Sequence, residues 1–161
     1  ASEEEWGKGY SAIRAEFERF IDSLAYTGKG VILISHTQEK EVKRRSGESY
    51  TVLTSTMPRQ GREIIEGLVD IWCHYGYDGH RRVLTIIGDD YISAGHRFSE
   101  RFRTPDGRVI RAIDMGRSAE EGHDNFVRAW NNDYTPDRDE DMMPEDRPKR
   151  SKLKLKLTRK S

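Results

Sequence analysis

Residues 30–47 read GVILISHTQEKEVKRRSG, and the folding of this stretch decides how the rest of the chain is read. Residues 31–35 (VILIS) are apolar on both faces, the pattern of a strand inside a sheet that is covered on two sides. The run turns polar at His36, Thr37 and Gln38, and basic at Lys40, Lys43, Arg44 and Arg45. Polar side chains at a strand tip fit a ligand site, because ligands of open α/β sheets collect at the carboxyl ends of the strands. A strand end bonded only to backbone fits the same letters. Residues 39–57 form a long polar loop, with a ribbon turned at Ser46 and Gly47 that sets residues 42–45 against 49–53.

Upstream, Tyr10, Ile13, Phe17, Phe20, Ile21 and Leu24 recur at helical spacing, which predicts an amphipathic helix over residues 9–25. Ser2 and the three glutamates after it suit the start of such a helix. Downstream, Pro58 can open a second helix, since its missing N–H is not needed there. Ile64, Ile65, Leu68 and Trp72 give that helix its apolar face. Residues 71–75 and 82–87 read as neighbouring strands joined by the turn GYDGH. RFRTPDGRVIRAI, residues 101–113, reads as a hairpin turned at Pro105, Asp106 and Gly107. Ser118 with Glu121 three residues later is a capping box. It opens a helix that ends near Trp130, with Phe126, Val127 and Trp130 facing inward.

The 161 residues suffice for one modest domain. Twenty-eight basic and twenty-eight acidic side chains cancel, so net charge selects no partner. A charged content of 35% and a mean hydropathy of -0.88 indicate that part of the chain carries little core. That part begins after Asn131. NDYTPDRDEDMMPEDRP is acidic and KRSKLKLKLTRKS is basic with no acid, which predicts a domain over residues 1–130 and an unstructured, charge-segregated tail over 131–161. The single cysteine, Cys73, allows no internal disulfide and suits a reducing, cytoplasmic setting. No apolar run approaches the ~20 residues of a membrane span. The acidic opening ASEEEWGKGY is unlike a signal sequence.

EWGKGYSAIRAEFERFIDSLAYTGKGVILISHTQEKEVKRRSG, followed by TMPRQGREIIEGLVDIW, resembles the C-terminal half of phage-type RecA-like (AAA-family) ATPases, also described as phage nucleotide-binding proteins. The likeness covers roughly residues 5–97. It implies an α/β, RecA-like P-loop NTPase core, present in part, with a mostly parallel sheet and flanking helices. It also implies a role in phage recombination or single-strand annealing inside a bacterial host cell. By the same likeness, His36 and Gln38 fall at the position that senses the nucleotide phosphate. Lys40, Lys43, Arg44, Arg45 and Tyr50 fall in the loop that touches single-stranded DNA, where cations meet phosphates and an aromatic stacks on a base. ATP and magnesium are the implied cofactors of the whole protein, and a homo-oligomer is an implied assembly.

One departure from that family matters. The sequence contains no G-x-x-x-x-G-K-[ST], whose backbone N–H groups and lysine cradle phosphates, and no strand ending in a magnesium-binding Asp before the first helix. The expectation is a C-terminal portion of a longer protein, with a degenerate short homologue as the rival account; on either account the chain is inactive towards ATP on its own and binds no cofactor alone. The alternative is a non-enzymatic module that holds nucleic acid, or a single-strand-binding protein through the lysine-rich tail. Cys73, His74 and His80 lack the spacing of a zinc site, because Cys73 and His74 point to opposite faces of a strand. No metal site is expected. Asp89, Asp90 and the run Asp139, Glu140, Asp141 read as turn and tail residues.

Overall fold

The computed structural model describes residues 3–143, with side chains from Ser11 onward. The helical spacing near the start yields α1, Glu3–Ala25. Its stripe meets α2, Arg59–Leu68, where Ile21, Ile64 and Ile65 are buried and Phe17 packs over Gly61. Pro58 occupies the N-cap of α2, one position before the first helical turn.

Between the helices lies a two-stranded antiparallel ribbon, β1 (Thr37–Lys43) and β2 (Ser49–Ser55), in the register Lys40 opposite Val52 and Val42 opposite Tyr50. Gly47 closes its turn at φ +90°, a conformation that costs glycine little. The ribbon is longer than its sequence suggests. Polar residues from Thr37 onward can pair because a hairpin needs only backbone groups, and one face stays in water.

The segment before the ribbon departs from expectation. Residues 31–35 lie outside every strand, and Ile32 and Ile34 are 88% and 94% exposed. Val31 and Leu33 are also exposed. A strand apolar on both faces needs neighbours on both sides, and the described residues supply none.

The remaining strands are short. β3 (Ile71–Trp72) pairs with β6 (Gly95–His96). β4 (His74–Asp78), β5 (Arg81–Thr85) and β7 (Ala112–Asp114) form a three-stranded sheet in the order β4-β5-β7. Every strand pairing is antiparallel, and only the single bridge from Leu53 to Ile92 is parallel among the described residues. The fold is therefore mixed α/β with antiparallel sheets, which corrects the mostly parallel sheet expected from sequence. The reason lies in connection length. β4 and β5 are separated by Gly79 and His80 alone, and a two-residue link can only join antiparallel strands.

The core gathers where β5, β7 and α3 (Ala119–Trp130) meet. Ile86, Phe102, Ile110, Ile113 and Ala129 are fully buried. Phe102 sits at its centre, with ring centroids 5.7 Å from Phe126 and 5.5 Å from Trp130, both edge-on. Ser118 caps α3: its hydroxyl accepts from the Glu121 N–H at 3.1 Å, while the Glu121 carboxylate reaches one residue past the cap and accepts from the Arg117 N–H at 2.7 Å.

Order does not end at Asn131. Tyr134 and Met142 are buried, and Ile110 bridges to Met142. Arg81 donates to Asp114 at 2.8 Å and to Asp141 at 2.7 Å, while Arg138 donates to Asp78 at 2.9 Å. These ion pairs raise the Arg81 pKa, chiefly through its bond to Asp141. Average composition conceals them, because a few well-placed side chains hold a polar segment in place. The lysine-rich part of the expected tail, residues 149–161, lies outside the described residues.

Candidate functional site

The residues singled out from sequence occupy the exposed segment at 30–36 and the ribbon that follows it. His36 is exposed, one residue before β1, and its carbonyl accepts from the Thr56 N–H at 2.9 Å. That bond closes the base of the ribbon. The Gln38 amide donates to the Ser55 carbonyl at 3.0 Å, which ties its side chain to the ribbon's own backbone. Both sensor candidates are exposed, and Gln38 alone is tied back in this way.

The basic residues do not share one face. Opposite residues of an antiparallel pair lie on the same side, and side chains alternate along each strand. Lys40 therefore stands with Val42, Tyr50 and Val52, whereas Lys43 stands on the other side with Glu39 and Glu41. Arg44 and Arg45 sit in the turn. Arg44 is already engaged: its guanidinium lies 4.9 Å from the Tyr50 ring centroid and bonds Asp90 at 2.7 Å. Lys40, Lys43 and Arg45 are exposed and, among the described residues, have no carboxylate within 4.0 Å, although Glu39, Glu41 and Glu48 of the same ribbon dilute their charge.

The ribbon is fastened to the rest of the molecule along β2. The Leu53 N–H donates to the Tyr91 carbonyl at 2.6 Å, and the Ser93 N–H returns a bond to the Leu53 carbonyl at 3.2 Å. Asp89 organises this connection by accepting from the N–H groups of Tyr91 and Ile92. Gly88 permits it, since a Cβ there would stand 2.1 Å from the Ile92 carbonyl oxygen. Asp89 and Asp90 are thus turn and anchoring residues. Arg62 braces the same strand from α2, donating to the Thr54 hydroxyl at 2.8 Å.

Sequence reasoning missed a cavity of roughly 290 Å³ between the end of α2 and the β3–β6 ribbon, lined by Glu66, Asp70, Trp72, Ser93, His96 and Arg97. None of the predicted site residues lines it. His96 Nδ1 accepts from the Phe98 N–H at 3.2 Å, so the ring proton of the neutral form sits on Nε2, which is buried without a partner. Burial lowers the His96 pKa, and burial does the same at His74. His96 stands in sequence between Gly95 and Arg97, and no spacing there marks a cavity whose acids, Glu66 and Asp70, come from α2 and the turn after it.

Among the described residues no group of three or more His, Cys, Asp or Glu side chains is placed to hold a metal ion. Cys73, His74 and His80 stand on and beside the β4–β5 hairpin without converging. No helix among the described residues is long and apolar enough to cross a membrane.

Comparison with known proteins adds one finding. A family model described as an AAA domain matches residues 1–98. No curated protein and no solved structure matches the chain.

Proposed function

The chain belongs to the AAA domain family, and from that premise we propose that residues 1–98 are the phosphate-sensing and DNA-contacting side of an ATP-dependent ATPase of the kind phages use in recombination and single-strand annealing. The observation that carries this reading is the uncovered segment at 30–36. Four consecutive apolar residues stand exposed and lead through Ser35 into His36 and a ribbon that carries exposed cations. A segment apolar on both faces suits the interior of a larger sheet. In an AAA core that sheet also carries the P-loop, which this sequence does not contain. His36 would then stand at the nucleotide edge of the sheet, and the ribbon behind it would transmit nucleotide state to DNA.

The residues present do not by themselves fit ATP or magnesium. No phosphate-cradling loop is in the sequence, and no carboxylate cluster suited to a metal occurs among the described residues. No catalytic step is therefore assigned to this chain. Its part in the reaction is sensing and coupling, with His36 as the sensor and Lys40, Lys43 and Arg45 as the strand contacts. Arg44 and Tyr50 shape the turn, because their stacking and the bond to Asp90 occupy them.

The test is binding of a labelled single-stranded oligonucleotide across a salt series. Replacing Lys40, Lys43 and Arg45 by Ala removes three phosphate contacts. The slope of log affinity against log salt should then fall by about 2, at roughly 0.7 per contact. An unchanged slope would sink the reading of the ribbon. His36→Ala should leave the slope as it is, since a sensor acts on nucleotide and not on the strand.

A further inference from the structure

Residues 97–103, RFSERFR, lie almost wholly beyond the family match and carry three arginines against one glutamate. Arg44, Arg81, Arg108, Arg111 and Arg138 rest on carboxylates, whereas Arg82, Arg97 and Arg128 bond to backbone carbonyls. Arg101 and Arg103 belong to the second kind, two residues apart in one short segment: among the described residues neither has a carboxylate within 4.0 Å. They bond only to backbone carbonyls, Arg101 to Trp130 at 3.4 Å and Arg103 to Ser99 and Gly107 at 3.0 Å each. Glu100, just before them, meets the Ser99 hydroxyl at 3.5 Å instead. Three bonds occupy three of the roughly ten N–H donors that two guanidinium groups hold.

The backbone that carries them is held in an unusual shape. Phe102 has φ +57°, a region that bulky residues rarely enter, yet its side chain is fully buried. Burial against His96, Phe126 and Trp130 offsets that strain. Asn132, at φ +65°, clamps both sides: its Oδ1 accepts from the Arg103 N–H at 3.0 Å and its Nδ2 donates to the Glu100 carbonyl at 3.0 Å. The two guanidinium groups are thus positioned before any ligand arrives, which lowers the ordering cost of binding.

We propose that Arg101 and Arg103 form a contact site for the phosphodiester backbone of a nucleic-acid strand. A guanidinium fork matches phosphate oxygens, and among the described residues no carboxylate lies within ion-pair distance of either fork. The Trp130 ring beneath Arg101, 4.9 Å from its guanidinium carbon, places an aromatic beside the cation, a pairing that strand-binding surfaces use. The site draws on other residues than the ribbon, whose cations lie at residues 40–45, so the two can be substituted independently.

The experiment uses the full chain with a labelled 15-nucleotide single strand, and a duplex of the same sequence, over 50–200 mM salt. Arg101→Ala with Arg103→Ala should lower the salt slope by about 1.4 on the single strand and about 1.8 on the duplex, at roughly 0.7 and 0.9 per contact. Arg101→Lys with Arg103→Lys should restore the parental slope, because the charges return. The ribbon variant supplies an independent loss at its own site. A parental slope in the alanine pair overturns the proposal, as does an equal loss in the lysine pair, which would mark a structural effect. Failure of the parent to bind either probe overturns it too. Displacement of the strand by poly-glutamate as readily as by unlabelled strand would assign the site to an acidic polypeptide and overturn it.

Discussion

Residues 3–70 and residues 81–143 are built to different standards of burial. In the second region Ile86, Phe102, Ile110, Ile113 and Ala129 are sealed from solvent, and ion pairs fasten its final turn. In the first, Ile13, Phe20, Ile32 and Ile34 are exposed, and the ribbon has one strand, β1, whose side chains all face water except Val42. The family match spans the loosely covered region and stops at residue 98, before Phe102 and α3. A region that lacks the covering layers keeps the sequence of an inner strand while showing it to solvent. The difference teaches that apolar pattern and burial are separate facts: the pattern states what a segment is suited to, and the neighbours decide whether it is met.

The largest effect that can break the comparison lies in the packed region. Phe102→Ala should cost about 4 kcal/mol, from lost transfer energy and the cavity left among Phe126, Trp130 and His96. Urea unfolding followed by tryptophan fluorescence measures it. A loss below about 1 kcal/mol would mean that the aromatic cluster is not the organising core, on the scale of typical large-to-small changes.

The junction comes next. Gly88→Ala forces a Cβ into the Ile92 carbonyl, and the backbone must shift the loop that bonds Leu53. The expected loss is about 2 kcal/mol, in the range of overpacking. Amide exchange sharpens the result, because protection should fall at Leu53 and Ser93 while the β4–β5–β7 sheet keeps its own. Equal loss in both places would show that the two regions unfold as one.

A smaller effect depends on pH. Burial lowers the pKa of His96 and of His74, so the folded chain resists protons that the unfolded chain accepts. Below the ordinary histidine value of 6.5 the unfolded state binds more protons, and stability must fall as pH falls. Asp114 acts in the same direction further down. Burial raises its pKa, but bonds from the Gly116 N–H and from Arg81 outweigh burial and hold it below the usual carboxylate value. The urea midpoint should therefore be lower at pH 5.5 than at 7.5. His96→Asn keeps an acceptor for the Phe98 N–H but cannot titrate, so it should flatten part of that difference. A midpoint that rises on acidification would contradict the burial of both rings.

Much of the local structure is legible in the letters. Helical spacing locates α1 and α2, Ser118 and Glu121 mark the start of α3, and Gly47 marks the ribbon's turn. These are short-range features, set by propensity and capping within a few residues. What escapes is long-range. Residues 31–35 read as a central strand because periodicity reports side-chain preference and not the presence of a partner. The tie between Arg81 and Asp141 spans 60 residues, and nothing at either end announces it. The candidate site is legible in the same measure: sequence places Lys40, Lys43, Arg44 and Arg45 in one loop, but only pairing register puts Lys40 and Lys43 on opposite faces. The engagement of Arg44 by Tyr50 and Asp90 depends on a loop more than 40 residues away, beyond the reach of any local pattern.

The smallest expected change in stability is also the sharpest test of the contrast. Ile32 and Ile34 are both almost fully exposed, so Ile32→Ser with Ile34→Ser removes apolar surface that water already touches. Exposed substitutions of this kind stay within about 0.5 kcal/mol. Burying an isoleucine side chain is worth about 2 kcal/mol, so the same pair inside a covered sheet would lose about 4 kcal/mol or more. The gap between those outcomes exceeds the error of a urea titration. An unchanged midpoint, with weaker binding of an apolar dye and less self-association in sedimentation, would show that the segment is open in the free chain and sticky because of it. A loss near 4 kcal/mol would show that the segment is covered in solution, and the contrast between the two regions would then vanish. Restoring the exposed state by dilution separates the remaining cases. A cover supplied by a second copy makes the midpoint concentration-dependent, whereas a cover supplied from within the chain does not.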